Sequence, residues 1–147
     1  MSLITPKTAL ISLSDKSNLD KLVKFLLKQK VKMISTGGTY KSIKKITNDV
    51  MEVSEFTGFE EMMDGRVKTL HPKIHAGILA RRETDMELWT DRGYELIDIV
   101  VVNLYPVKET VASGWSFEEA VEKIDIGGPT MIRSAAKNFK DVAVGSD

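Results

Sequence analysis

Three segments, far apart in the chain, carry residue types that can do chemistry. Ser35-Thr36-Gly37-Gly38-Thr39 joins small glycines to hydroxyls. Between a strand and a helix, such glycines let backbone N–H groups approach an anion, and the hydroxyls add donors. A plain strand–helix turn with a threonine cap would look the same. Gly65-Arg66-Val67-Lys68-Thr69-Leu70-His71-Pro72 is a basic, hydroxyl-bearing loop. Alternation along an extended stretch would put Arg66 and Lys68 on one side. Arginine suits two-point contact with phosphate, and a lysine can stabilise an oxyanion. The bland alternative is a solvated basic loop. Asp125-Ile126-Gly127-Gly128-Pro129 leads on to Ala136-Lys137-Asn138, placing a carboxylate and a lysine at opposite ends of one helical segment. Arg133 and Lys137, four apart, share a face of it. An acid at a helix start and a base at its end are also ordinary dipole complements. Together the segments describe a site for a phosphorylated, anionic small molecule with acid–base groups beside it.

Four further groups belong to the same argument. Ser12, Ser14, Asp15 and Lys16 end the first expected strand, where ligands of open parallel sheets dock. A capped helix start with a solvated lysine is their plain alternative. Asn103-Leu104-Tyr105-Pro106 ends another strand; Tyr105 could donate to a developing oxyanion and Asn103 could read the amide edge of a ring. A strand-terminating turn is the alternative there. His71 and His75 are four apart, but Pro72 between them argues against a regular helix, and no cysteine or third histidine exists to complete a zinc site. No metal is expected. The Walker pattern and the dinucleotide fingerprint are both absent, which disfavours a nucleoside triphosphate or NAD.

The elements that must position these groups follow an α/β pattern. The 147 residues suffice for one domain with a sizeable core, and 42% hydrophobic with 29% charged content is ordinary for a globular protein. Lys plus Arg and Asp plus Glu both total 21, so bulk charge gives no reason to expect nucleic acid or an anionic membrane. With no cysteine, no secretory signal and no apolar run long enough to span a bilayer, the chain is expected to be cytoplasmic. Short β-branched runs alternate with amphipathic segments, predicting a mainly parallel sheet with helices on its faces. Strands are expected at Thr8 to Leu13, Val31 to Ile34, Val50 to Val53, Ile97 to Val102 and Asp141 to Val144. Leu19, Leu22, Val23, Leu26 and Leu27 form one helix face, with Ser14 or Ser17 as cap. Tyr40 to Ile46 reads as a short helix. Ser116 and Glu119 form a capping-box pair. Gly128-Pro129 opens a helix carrying Met131, Ile132, Ala135 and Ala136 inward.

The eight-residue loop from Gly65 to Pro72, with Asn103-Leu104-Tyr105-Pro106 and Asp125-Ile126-Gly127-Gly128 running on to Asn138, closely resembles the IMP cyclohydrolase domain. The resemblance spans about Ala9 to Val144 in order and approximate spacing. It implies a methylglyoxal-synthase-like, three-layer α/β/α fold and closure of the purine ring, in which the formylated aminoimidazole carboxamide ribotide (FAICAR) loses water to give IMP. It implies no cofactor for that step. It gives Ser12, Ser14, Lys16, Thr36, Gly37, Gly38, Thr39, Arg66 and Thr69 to the phosphate and ribose, with Asp15, Val67 and Gly127 beside them. Lys68 and Tyr105 would stabilise the oxyanion, Asp125 and Lys137 would transfer protons, and Asn103 and Ile126 would meet the base. Val107 departs from the phenylalanine usual after Tyr-Pro. In the family this domain is joined to a transformylase domain that uses 10-formyltetrahydrofolate. Residues 1–147 are expected to be a single domain, cut short at its C-terminal end and without that partner, and a homodimer is implied. The alternatives are a non-catalytic domain of the same fold binding a phosphorylated ligand, and methylglyoxal synthase.

Overall fold

The computed structural model describes residues 5–86, 91, 93–104 and 114–146. Apolar alternation builds its centre. In β1 (Thr8–Ser12), Ala9 and Ile11 face one side, Leu10 the other, and all three are fully buried. A strand that is apolar on both faces must lie inside a sheet covered twice. β1 pairs in parallel with β2 (Lys32–Ser35) on one side and β4 (Ile99–Val102) on the other, through Ala9↔Met33 and Ala9↔Ile99. β3 (Val50–Glu52) adds beside β2 and β5 (Ala143–Gly145) beside β4, giving the all-parallel order β3-β2-β1-β4-β5.

Two apolar clusters fill the two faces. Ala9, Ile11, Met33 and Val31 meet Leu19, Val23 and Leu26 of α1 (Leu19–Lys28) and Ile43 of α2 (Gly37–Lys44). Leu10, Ile34, Val100 and Val102 meet the opposite layer. That layer comprises α3 (Val53–Thr57), α4 (Pro72–Leu79) and α6 (Gly127–Lys137), through residues such as Phe56, Ile74, Ile78 and Met131. The fold is the expected α/β/α sandwich. A further helix, α5 (Phe117–Glu122), buries none of its residues. Ser116 Oγ accepts from Glu119 N at 3.1 Å while Ser116 N donates to the Glu119 carboxylate, so the capping box is formed.

Several local expectations are corrected. Pro72 does not break the segment from His71 to His75; it starts α4, where its missing N–H costs nothing. His71 is the N-cap, its Nδ1 accepting from Lys73 N at 3.0 Å. α1 is entered through Asn18, without a side-chain cap from Ser14 or Ser17. Ala136 is exposed rather than inward. The loop 66–69 is not extended: Arg66 is in the right-handed helical region, and Leu70 N donates to Val67 O at 2.7 Å.

Buried polar staples close the amino edge of the sheet. Asp98 accepts from Lys7 N, Thr8 N and the Arg82 guanidinium, whose fork also reaches the Ala80 and Ile97 carbonyls. Asn138, just past α6, donates to Ile78 O and Ala80 O, both at 2.9 Å. This leaves the carboxyl edge free for loops.

Candidate functional site

In the order β3-β2-β1-β4-β5 the chain reverses its direction of travel between β1 and β4, and such switch points open a crevice beyond the carboxyl ends of the strands. A cleft of about 770 Å³ lies there. That is ample for a nucleotide and far more than a three-carbon phosphate needs.

Two helix N-termini open onto it. β2 ends at Ser35 and α2 begins at once with Gly37-Gly38. The N–H groups of a helix's first turn have no partner within the helix and carry its positive dipole end. Thr36 does not cap them, because its hydroxyl is 3.0 Å from Ser12 Oγ. Two ammonium groups flank this turn. A Cβ added at Gly37 would stand 3.0 Å from Lys68 Nζ, and one added at Gly38 would stand 3.9 Å from Lys16 Nζ. Gly37 also has φ +34°, a conformation that side chains rarely adopt. Glycine here therefore serves both the turn and the approach of Lys68.

The second N-terminus is that of α6. Asp125 precedes it, and Gly128 N donates to Asp125 Oδ1 at 2.8 Å. A Cβ at Gly128 would collide with that carboxylate, and one at Gly127 would stand 2.6 Å from Thr69 Oγ1. Glycines thus let α6 start against both Asp125 and the buried Thr69.

The same cleft gathers Ser12, Ser14, Lys16, Thr36, Gly38, Thr39, Arg66, Lys68, Thr69, Asn103, Asp125, Ile126 and Gly127 of the residues chosen from sequence. Some of these are committed elsewhere. The Thr39 hydroxyl accepts from Leu13 N and donates to Leu13 O, both at 3.0 Å, so it braces the loop after β1. The amide oxygen of Asn103 is committed within the chain. Its Oδ1 accepts from Ser14 N, Ser14 Oγ and Asp15 N, and its Nδ2 donates to Asp15 O at 2.9 Å. It positions the loop after β1 from the wall of the cleft.

Four choices fall outside the cleft. Asp15 is exposed and turns to Ser17, whose backbone N–H, and then its hydroxyl, hold the carboxyl below its ordinary value. Gly37 and Val67 line a neighbouring cavity of about 370 Å³. Lys137 is exposed at the C-terminal end of α6, which runs from the carboxyl edge of the sheet toward the amino edge. Ten residues at ~1.5 Å each put it roughly 15 Å along the helix from Gly127. Within one chain it is therefore not paired with Asp125. Tyr105, like Pro106 and Val107, lies outside the described residues.

Two carboxylates were missed. Glu122 on α5 is ion-paired with Arg66, and Glu61 stands 3.7 Å from Lys68 Nζ. His75, in the first turns of α4, has Nδ1 2.9 Å from Ser134 Oγ, while its buried Nε2 has no hydrogen-bond partner among the described residues. Burial pushes its pKa down, and the Thr69 carbonyl nearby offsets part of that. The two histidines thus have separate local roles.

Residues 18–130 match the MGS-like domain family. The chain belongs to that family. Among similar proteins, the bifunctional purine biosynthesis protein PurH of Clostridium acetobutylicum is 58% identical over 143 residues, covering 96% of this chain and 29% of that protein. PurH of Fusobacterium nucleatum is 56% identical over 143 residues, covering 96% of this chain and 28% of that protein. The MGS-like chain thus spans under a third of the length of these relatives. The crystal structure of ForH superposes with a TM-score of 0.80 at 36% identity, covering 97% of this chain and 74% of that one.

Proposed function

We propose that this domain closes the purine ring of FAICAR to give IMP and water. The observation that carries the reading is the convergence, in one nucleotide-sized cleft, of the Arg66–Thr69 loop, the two glycine-led helix starts and Asp125. The kinship with PurH, a purine biosynthesis protein by name, supports the same substrate class.

The reaction needs folding of one molecule rather than a second reactant. The carboxamide nitrogen attacks the formyl carbon, forming a C–N bond and an alkoxide. The attacking nitrogen then gives up one proton and the alkoxide takes one; the formamide nitrogen gives up the second as its C=N bond forms, the C–O bond breaks, and the oxygen leaves as water. Atoms and electrons balance without a cofactor. In our reading the ligand's phosphate rests on the first turn of α2 beside Lys16, where free N–H groups favour an anion. Fixing that end holds the two reacting groups together, which removes much of the entropic cost of closure. Lys68, reaching the cleft beside the α2 start, faces the developing alkoxide. Asp125, fixed by Gly128 N, takes or gives the proton at the nitrogen. Lys137 has no part within the same chain. As in the family, we propose a cytoplasmic domain working beside a transformylase domain and as a homodimer. No helix among the described residues is long and apolar enough to cross a membrane.

The test is ring closure itself. Purified protein is given FAICAR and purine formation is followed by ultraviolet absorbance, with Lys68→Met and Asp125→Asn alongside. The reading expects turnover that falls by at least about a hundredfold in each variant, the scale of a lost oxyanion or acid–base group. Absent turnover in the parent chain, or full turnover in both variants, would overturn it. A melting-temperature increase with IMP but none with dihydroxyacetone phosphate separates this reading from a triose-phosphate enzyme.

A further inference from the structure

We infer that Glu61 is a positioning residue for Lys68, an ion-pair partner 3.7 Å away that holds the ammonium at the edge of the cleft from behind. The inference rests on the ring-closure reading above for its catalytic consequence, though not for its geometry. The Lys68 side chain passes between two glycines. At Gly65, φ is +78°, and an added Cβ would collide with the Lys68 side chain and stand 2.7 Å from Glu61 Oε1. At Gly37, an added Cβ would crowd Lys68 Nζ. The turn that brings Glu61 back to Lys68 is itself strained, since exposed Met63 adopts a φ of 50°. Gly65 N donates to Met62 O and Arg66 N to Met63 O, which fixes the reversal.

The two cations of the loop are paired from opposite directions. Lys68 borders both cavities, whereas Glu61 borders only the smaller one. Its carboxylate therefore lies on the side of Lys68 away from the cleft, and an arriving anion need not displace it. Arg66 differs: its partner Glu122 lines the cleft and would compete with an anion for the guanidinium. A lysine chain is flexible and its ammonium is a point charge, so its place must be held by a partner charge. An ion pair as exposed as Glu61–Lys68, with side chains 49% and 38% accessible, contributes little to folding. That small contribution lets function and stability be separated.

The experiment compares Glu61→Gln and Glu61→Asp with the parent protein and with Lys68→Met. First, Lys68 labelling by an amine-directed reagent is read by peptide mass spectrometry. Glu61→Gln should raise its rate at least about threefold as the ammonium is released, with Lys28 unchanged and the melting temperature within about 2 °C of the parent. Second, in ring closure, Glu61→Gln should lower kcat about tenfold with KM changed less than about threefold, the pattern of an interaction that acts on the reacting atoms. Glu61→Asp should recover part of that loss. Unchanged labelling overturns the positioning role whatever the activity. A kcat within about twofold of the parent, where Lys68→Met is inactive, overturns its catalytic consequence. If the parent chain itself closes no ring, the proposed function falls, and the labelling result still decides the position of Glu61.

Discussion

Gly128→Ala tests the site geometry through its sign. In an ordinary helix this change is favourable by up to ~1 kcal/mol, less near the first turn. Here the new Cβ would collide with the Asp125 carboxylate that accepts from Gly128 N at 2.8 Å. Asp125 must then swing away, and a hydrogen bond to a charged acceptor is worth ~1.5–3 kcal/mol. The loss exceeds the gain, leaving a net destabilisation of about 1–2 kcal/mol. For a chain of 147 residues, that lowers the melting temperature by roughly 2–8 °C. Circular dichroism melts at neutral pH measure it directly. A double-mutant cycle isolates the cause: in an Asp125→Ala background the obstructing carboxylate is gone, so Gly128→Ala should turn neutral or stabilising. A variant as stable as the parent, or a penalty that persists without Asp125, would rule out this contact as the cause. It would mean that α6 starts without leaning on this carboxylate.

Three other outcomes are expected. Arg81's side chain and backbone N–H bring the Asp85 pKa down from 3.8 to about 2; its contribution to stability is complete above 3.8 and lost as pH falls through about 2. NMR titration should find that midpoint and see it return toward 3.8 in Arg81→Ala. His75 is lowered by burial from 6.5, so the folded chain resists a proton that the unfolded one accepts; stability is full above 6.5 and declines as pH falls from there through the folded value. Urea melts at about pH 7.5 and 5.5 should show a smaller decline in His75→Gln. Asn138→Ala leaves the buried Ile78 carbonyl without its donor, while Ala80 O keeps Arg82, and should cost ~1–3 kcal/mol in the same assay.

Much of the architecture was legible because it is written in periodicity and short-range rules. Ala9 to Ile11 and Val100 to Val102 are apolar on both faces, and Ser116 with Glu119 is a purely local signal. Pro72 misled because proline both opens and breaks helices, and only the His71 cap decides between them. The five-residue α3 is too short to show a period. In the cleft, residue types were readable but commitments were not. Asn103 looks like a reader of ligands, yet its amide oxygen is taken up by a loop 88 or 89 positions earlier in the chain. Glu61 could not be connected with Lys68, because their meeting depends on the positive φ of Gly65. The spacing from Asp125 to Lys137 suggested partners where the helix axis holds them apart.

The pairing of β1 with β4 has a kinetic consequence. Ala9 cannot find Ile99, nor Ser14 find Asn103, until a loop of about ninety residues has closed, and distant contacts of this kind slow folding. The cleft takes a wall from each side of that closure and a further wall from α6, so no early intermediate holds it whole. Any ligand that needs the whole cleft can then recognise only the finished molecule. It should leave the refolding rate unchanged and slow unfolding, acting as a latch on the native state rather than a template for reaching it.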